Sequence, residues 1–208
     1  LLICFMTNTK YKILNTKYQS GQSLVEMIIA IAIILTGLIG ALALTISNLT
    51  GSAEAGTRVV ATNLAKEGIE VARNMRDTNW LKNLAWDNGL SFGSDYTAIA
   101  VLNPATKQWS LDFSPTSLSD AAAKFYLSAG NLYLQNSTPP AGSQTVYSRI
   151  LTLSQICFNT VTKIETVSDS PCGANENKIG VRAKAEVSWS LSGRSRSLTV
   201  EDKLYNWR

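Results

Sequence analysis

Few residues in this chain are equipped for chemistry, and the most conspicuous is a carboxylate in an apolar setting. Glu26 stands near the start of SGQSLVEMIIAIAIILTGLIG, Ser20 to Gly40. A glutamate placed in hydrocarbon is costly, so its presence there marks function. The rest of the inventory is negative. The sequence contains no histidine, which excludes Ser-His-Asp and Cys-His catalysis and metal sites built on imidazole. Its three cysteines, Cys4, Cys157 and Cys172, form no CxxC pair, so a redox motif and a four-thiolate metal site are excluded too. Scattered serines and carboxylates nominate no triad or dyad. The expectation is a protein that is not an enzyme and uses neither metal nor cofactor.

Glu26 is held by an element of a definite kind. From Met27 to Ala53 there is no charged residue. About 20 apolar residues in a helix rise roughly 30 Å, enough to cross a bilayer core. Lys10, Lys12 and Lys17 precede the run with no acid among them, and Glu54 is the first charge after it, which predicts a cytoplasmic N-terminus and an exported remainder. Removing those three lysines from the 19 basic residues leaves 16 against 15 acidic ones, so the net charge of +4 belongs largely to the leader. A general nucleic-acid-binding role thereby loses its main support. An uncleaved signal anchor or a secretory signal would account for the apolar run. The run is longer than a usual signal core, however, and neither reading explains Glu26. Leu1 is not a normal start, and translation is expected from Met6, which would leave Cys4 outside the protein.

The boundary residues are more specific. Gly21 separates the lysine-bearing leader from Gln22, Ser23, Leu24, Val25 and Glu26, so the carboxylate is the fifth residue after the glycine. This arrangement resembles the type IV prepilin signal of type IV pilins, minor pilins and type II secretion pseudopilins. The resemblance covers leader and helix, roughly a quarter of the chain. It implies cleavage by an aspartyl prepilin peptidase between Gly21 and Gln22 on the cytoplasmic face, followed by N-methylation of Gln22. Two positions depart from the pattern: the first mature residue is usually phenylalanine and the second threonine, here Gln22 and Ser23.

Cleavage at Gly21 would bare an α-amino group, which has an ordinary pKa of about 8 and is largely protonated near neutral pH. Glu26 could neutralise its own helix end, where a carboxylate is favoured and an ammonium is not. The sharper expectation is intermolecular: Glu26 pairs with the Gln22 ammonium of a neighbouring subunit in a filament core. An unpaired carboxylate in hydrocarbon costs about 2.5 to 3.5 kcal/mol, so a misaligned subunit is penalised and register is selected. Gly37 and Gly40 lie inside the span, where small residues let helices approach closely.

Helical periodicity continues through AEAGTRVVATNLAKEGIEVARNMRDTNW. Val60, Leu64, Val71 and Met75 fall on one face, expected to be buried on a sheet, while Glu67, Glu70, Arg73 and Arg76 can remain wet. Gly51, Gly56 and Gly68 would allow bends. LAKEGIEVARNMRDTNW also resembles the segment that follows the membrane helix in some minor pilin-like proteins.

Beyond Trp80 the pattern changes to strands and turns. WDNGLSFGSDY and NSTPPAGSQ read as loops, the second as a boundary between a variable middle and a C-terminal sheet. In IGVRAKAEVSW, Ile179, Val181, Ala183, Ala185, Val187 and Trp189 alternate with polar residues or glycine, predicting a strand with one buried and one wet face. SLSGR then turns the chain at Gly193 into SRSLTVEDKLYNW, completing an antiparallel hairpin. TVYSRILTL and NLYLQ are further strands. Cys157 and Cys172 lie in an exported region, where a disulfide between them is expected.

The expected fold is α+β, a long N-terminal helix packed on a C-terminal antiparallel sheet, as in pilins. The expected domains are a leader 1–21, a transmembrane and filament-core helix 22–46, an exported helical half 47–78 and a β-rich head 79–208. The resemblance implies a structural subunit, a minor pilin or pseudopilin, assembled from the membrane into a surface or periplasmic filament. Its partners would be prepilin peptidase, other pilin or pseudopilin subunits, membrane lipid before assembly and, indirectly, the assembly platform and its ATPase. A binding module for adhesion or DNA uptake is the competing function, with Arg182, Lys184, Arg194 and Arg196 as its candidate basic patch.

Overall fold

The structure is a computed structural model that describes residues 22–91, 96–103, 105–138 and 142–207. Helix α1 spans Gln22–Leu81, and the chain divides into two compact units, Leu1–Gly51 and Ser52–Arg208.

In the first unit every side chain from Leu24 to Gly51 is exposed, including Leu24, Ile28, Ile31, Leu35, Leu38 and Leu42. The helix is long and apolar enough to cross a membrane. Its threonine hydroxyls are prepared for such a medium. Thr36 donates to the Ala32 and Ile33 carbonyls at 3.0 and 2.9 Å, Thr45 to Ala41 at 2.9 Å, and Thr50 to Ile46 and Ser47 at 3.1 and 2.9 Å. Each hydroxyl proton is thus satisfied within the helix, so no threonine presents an unmet donor to lipid. A Cβ at Gly37 or Gly40 would meet nothing within 4 Å, so no contact among the described residues demands glycine at either position.

The second unit places the remainder of α1 on an eight-stranded antiparallel sheet. Its strands are β1 Thr97–Asn103, β2 Gln108–Asp112, β3 Lys124–Leu127, β4 Tyr133–Leu134, β5 Ser143–Asn159, β6 Glu165–Ser168, β7 Glu176–Leu191 and β8 Arg194–Tyr205. The long strand β5 organises them. β7 runs along one side of it and pairs onward with β8, while β3, β1 and β6 pair in turn along its other side. The middle of the chain therefore shares one sheet with its C-terminal part, and Ser143 and Gln144, at the end of the expected boundary loop, already belong to β5; residues 139–141 of that loop lie outside the described residues.

Alternation in β7 sets the core. Val181, Ala183, Ala185, Val187 and Trp189 are at most 5% exposed and join Leu64, Ala65, Val71 and Ala72 of α1 in one cluster, with Val60 and Met75 packed at its margin. Each fully buried Val or Leu contributes about 1.5–3 kcal/mol. The alanines bring helix and sheet together, and the approach is closest at Gly68. A Cβ there would lie 2.6 Å from Leu151 Cδ2 and 3.3 Å from Arg149 Cδ. Gly68 is thus a packing glycine, and α1 is continuous through both Gly56 and Gly68.

The opposite face of the sheet is drier than the alternation predicts. Ile150, Ser154 and Ile156 point away from α1 by pleat and are buried, as is Ile99. The segment after β2 crosses this face at the buried Pro115, whose carbonyl accepts from Thr97 Oγ1 at 2.9 Å. The β7–β8 hairpin closes through Ser192 and Gly193, with φ of 51° and 75°. Two positive φ values define the mirror-image turn whose twist suits a two-residue hairpin.

Candidate functional site

The signal residues lie at the start of α1. Gly21 and the leader 1–21, with Cys4 and the three lysines, lie outside the described residues. Gln22 is the first helical residue, and Glu26 is exposed one turn further on. A spacing of four puts the two on one helix face with about 6 Å of rise between them. The carboxylate therefore lies one turn from Gln22 and opens an apolar stretch whose large side chains are all exposed from Leu24 to Leu49.

In the second unit a buried polar cluster surrounds Arg149, which sequence reasoning did not single out. Arg149 is 1% exposed. Its Nη1 donates to the Leu64 carbonyl at 2.6 Å and to Glu67 Oε1 at 3.2 Å, and its Nε donates to Gln135 Oε1 at 3.0 Å. The guanidinium also lies 4.8 Å from the Phe125 ring centroid. Gln135 in turn donates to the Ala123 and Arg149 carbonyls at 2.6 and 2.9 Å. Burial depresses the arginine's pKa, and the Glu67 carboxylate opposes that shift. The cluster ties α1, β5 and the segment after β4 together. The signal that could have found it is the alternation Tyr147, Arg149, Leu151, Leu153, which puts a cation on a buried face.

Arg76, expected to remain wet, is buried instead. Its guanidinium stacks 4.6 Å over Trp80, pairs with Asp77 at 2.9 Å and donates to the Tyr205 carbonyl at 3.3 Å. Stacking and ion pairing let the charged head leave water without being stranded.

Cys157 and Cys172 form a disulfide, with Cα atoms 5.6 Å apart. Glu176 brings a ligand-type atom within 4.8 Å of both sulfurs, but sulfurs joined to each other offer a metal no thiolate.

The four cations of the last hairpin do not form one patch. Arg196 pairs across the strands with Trp189, Arg194 with Leu191, Arg182 with Lys203 and Lys184 with Glu201. Opposed residues share a face, so Arg194 and Arg196 lie on the side of Trp189, and Arg196 pairs there with Glu54 of α1 at 3.2 Å. Arg182 and Lys184 lie on the other side, where Arg182 donates to Ser154 at 3.0 Å. The expected basic patch is divided by the sheet.

Residues 16–42 match the prokaryotic N-terminal methylation motif, the signal of type IV pilins and pseudopilins. The match spans Gly21, Gln22, Glu26, Gly37 and Gly40. No curated protein and no solved structure matches the chain. The chain thus carries the pilin-type signal on an α+β, pilin-like fold, with one long N-terminal helix packed on an antiparallel sheet.

Proposed function

We propose that this chain is a structural subunit, a minor pilin or pseudopilin, of a type IV pilus or type II secretion-like filament. The observation that carries this reading is the methylation motif at 16–42, which runs into a helix whose large apolar side chains are all exposed from Leu24 to Leu49. Such a helix is suited first to lipid and then to neighbouring helices. Prepilin peptidase cuts between Gly21 and Gln22 and methylates Gln22. The N-terminus is cytoplasmic, the β-rich head is exported, and assembly platform and ATPase act on the anchored subunit. Glu26 selects register by pairing with the Gln22 ammonium of a neighbour. The role is structural rather than catalytic.

Intact mass spectrometry of the protein from its native host tests processing: the mature chain begins at Gln22 and carries one methyl group. A retained leader sinks the proposal. Glu26→Ala leaves cleavage intact and abolishes incorporation into filaments, and a variant that assembles normally removes Glu26 from its role.

A further inference from the structure

Two adjoining clefts open beside Trp109 of β2, and both are lined by Asn74 of α1. The larger, about 490 Å³, is lined also by Thr78, Lys82, Asn88 and Lys107. The smaller, about 340 Å³, continues past Trp109 to Glu67, Glu70 and Asp77. Neither belongs to the assembly signal, and the inference drawn from them does not depend on it.

The chemistry of the lining narrows the ligand. Each acid of the smaller cleft is already against an arginine: Glu67 on Arg149 at 3.2 Å, Asp77 on Arg76 at 2.9 Å and Glu70 on Arg73. Their charges are compensated, so the cleft is poorly suited to capturing a cation. Their remaining lone pairs are still acceptors. Asn74 and Asn88 add acceptors and donors, and Thr78 adds a hydroxyl. A site this rich in acceptors without net charge matches a neutral array of closely spaced hydroxyl donors. Trp109, only partly exposed and packed on the core, supplies a fixed aromatic surface between the two clefts. A rigid aromatic flanked by planar amides fits a sugar ring, whose C–H face lies on the indole while its hydroxyls reach the amides. An extended peptide offers one N–H per residue and needs apolar pockets for alternate side chains, whereas the apolar lining here amounts to Val71, Met75 and Leu84 besides Trp109.

At the far end the balance changes. Lys82 and Lys107 are exposed, and neither ammonium has an ion-pair partner among the described residues. We propose that the double cleft beside Trp109 binds an oligosaccharide that is neutral over most of its length and ends in one carboxylate, with its rings on Trp109 and the acidic end at Lys82 and Lys107.

The test uses the full chain in detergent, titrated with a galactose oligomer ending in one galacturonate and with its methyl ester, which keeps the sugar backbone and removes the charge. Calorimetry reads affinity, and ligand-observed NMR reads which ring protons contact the protein. Both probes bind, the acidic one more tightly, and the difference shrinks as salt is raised. Lys82→Ala and Lys107→Asn each weaken the acidic probe about threefold to fivefold, the scale of one partly exposed charge contact, and leave the ester unchanged. Asn suits the positive φ of 54° at Lys107. Trp109→Phe keeps an aromatic on the core but weakens both probes. Its thermal unfolding, compared with that of the parent, separates loss of binding from loss of fold. Absence of saturable binding overturns the proposal. So does binding that the Lys82 and Trp109 variants leave untouched, or an acidic peptide of equal charge that binds as tightly as the galacturonate-ended oligomer.

Discussion

Arg149 Nη1 donates a 2.6 Å hydrogen bond to the main-chain carbonyl of Leu64, so a strand side chain from the sheet grips the backbone of the helix above it. The grip is dry on the arginine's side and wet on that of its ionic partner: Arg149 is 1% exposed, whereas the Glu67 side chain is 38% exposed. These two facts separate the consequences of removing either residue. Arg149→Met strips Gln135 Oε1 and Leu64 O of a buried donor and costs about 3 kcal/mol or more. Glu67→Gln keeps an acceptor for Nη1 but takes the counter-charge from a buried guanidinium, so it costs more than an exposed ion pair would and less than Arg149→Met. Urea unfolding of both variants checks the order, and a smaller loss for Arg149→Met than for Glu67→Gln removes the grip as a stabilising element.

Gly68→Ala sets helix propensity against space. Alanine gains up to about 1 kcal/mol in a helix interior. Its Cβ would stand 2.6 Å from Leu151 Cδ2, in a core where Leu151 is wholly buried, and overpacking costs about 1–3 kcal/mol. Packing wins, so the variant unfolds at lower urea than the parent. The same substitution at Gly56, where a Cβ would meet nothing within 4 Å, stabilises the chain. Opposite signs at two glycines of one helix are the diagnostic result.

Reduction of Cys157–Cys172 releases a loop with a sequence separation of 15, which corresponds to a loss of about 3 kcal/mol. Urea midpoints with and without reductant measure it, and a Cys157→Ala, Cys172→Ala chain should be indifferent to reductant. A midpoint insensitive to reductant in the parent contradicts the bond.

Glu165 accepts from Lys203 Nζ at 2.7 Å and from the Tyr205 hydroxyl at 3.0 Å. The lysine, and after it the tyrosine, hold the carboxyl below its ordinary 4.5, while Glu165 lifts Lys203 above 10.5. A depressed carboxyl gives stability that is present above its unfolded pKa and lost as pH falls through the folded value. A raised lysine gives stability that is present below its unfolded pKa and lost as pH rises through the folded value. The latch between β6 and β8 is therefore intact between about 4.5 and 10.5, and Glu165→Gln flattens the dependence at both limits. NMR titration of the Glu165 carboxyl reads the shift directly, and a midpoint at or above 4.5 rejects it.

What the sequence disclosed followed from periodicity and from a short, position-fixed signal. Leu64 and Val71 at helical spacing, and Val181 to Trp189 at strand spacing, face each other in the core because each period has a single buried solution. The motif around Gly21 and Glu26 was legible because its parts are contiguous. The features that went unread are those where a polar side chain occupies an apolar position. Arg149 interrupts Tyr147, Leu151 and Leu153, and Arg76 stands four residues before Trp80 on the buried stripe. A long cation can enter a core only when partners distant in sequence receive it, here Leu64, Gln135 and Tyr205. Nothing local announces those partners. The clefts beside Trp109 were hidden for the same reason, since Asn74, Asn88 and Lys107 meet only through the fold.

Every buried apolar residue among those described falls between Ala61 and Leu204, and none comes from the exposed stretch that opens α1. Mutational drift can consequently rewrite the sheet and its loops, provided each exchange is answered inside the same core, without disturbing the address written at the amino terminus. A lineage built this way could keep its opening signal while the rest of the chain changes.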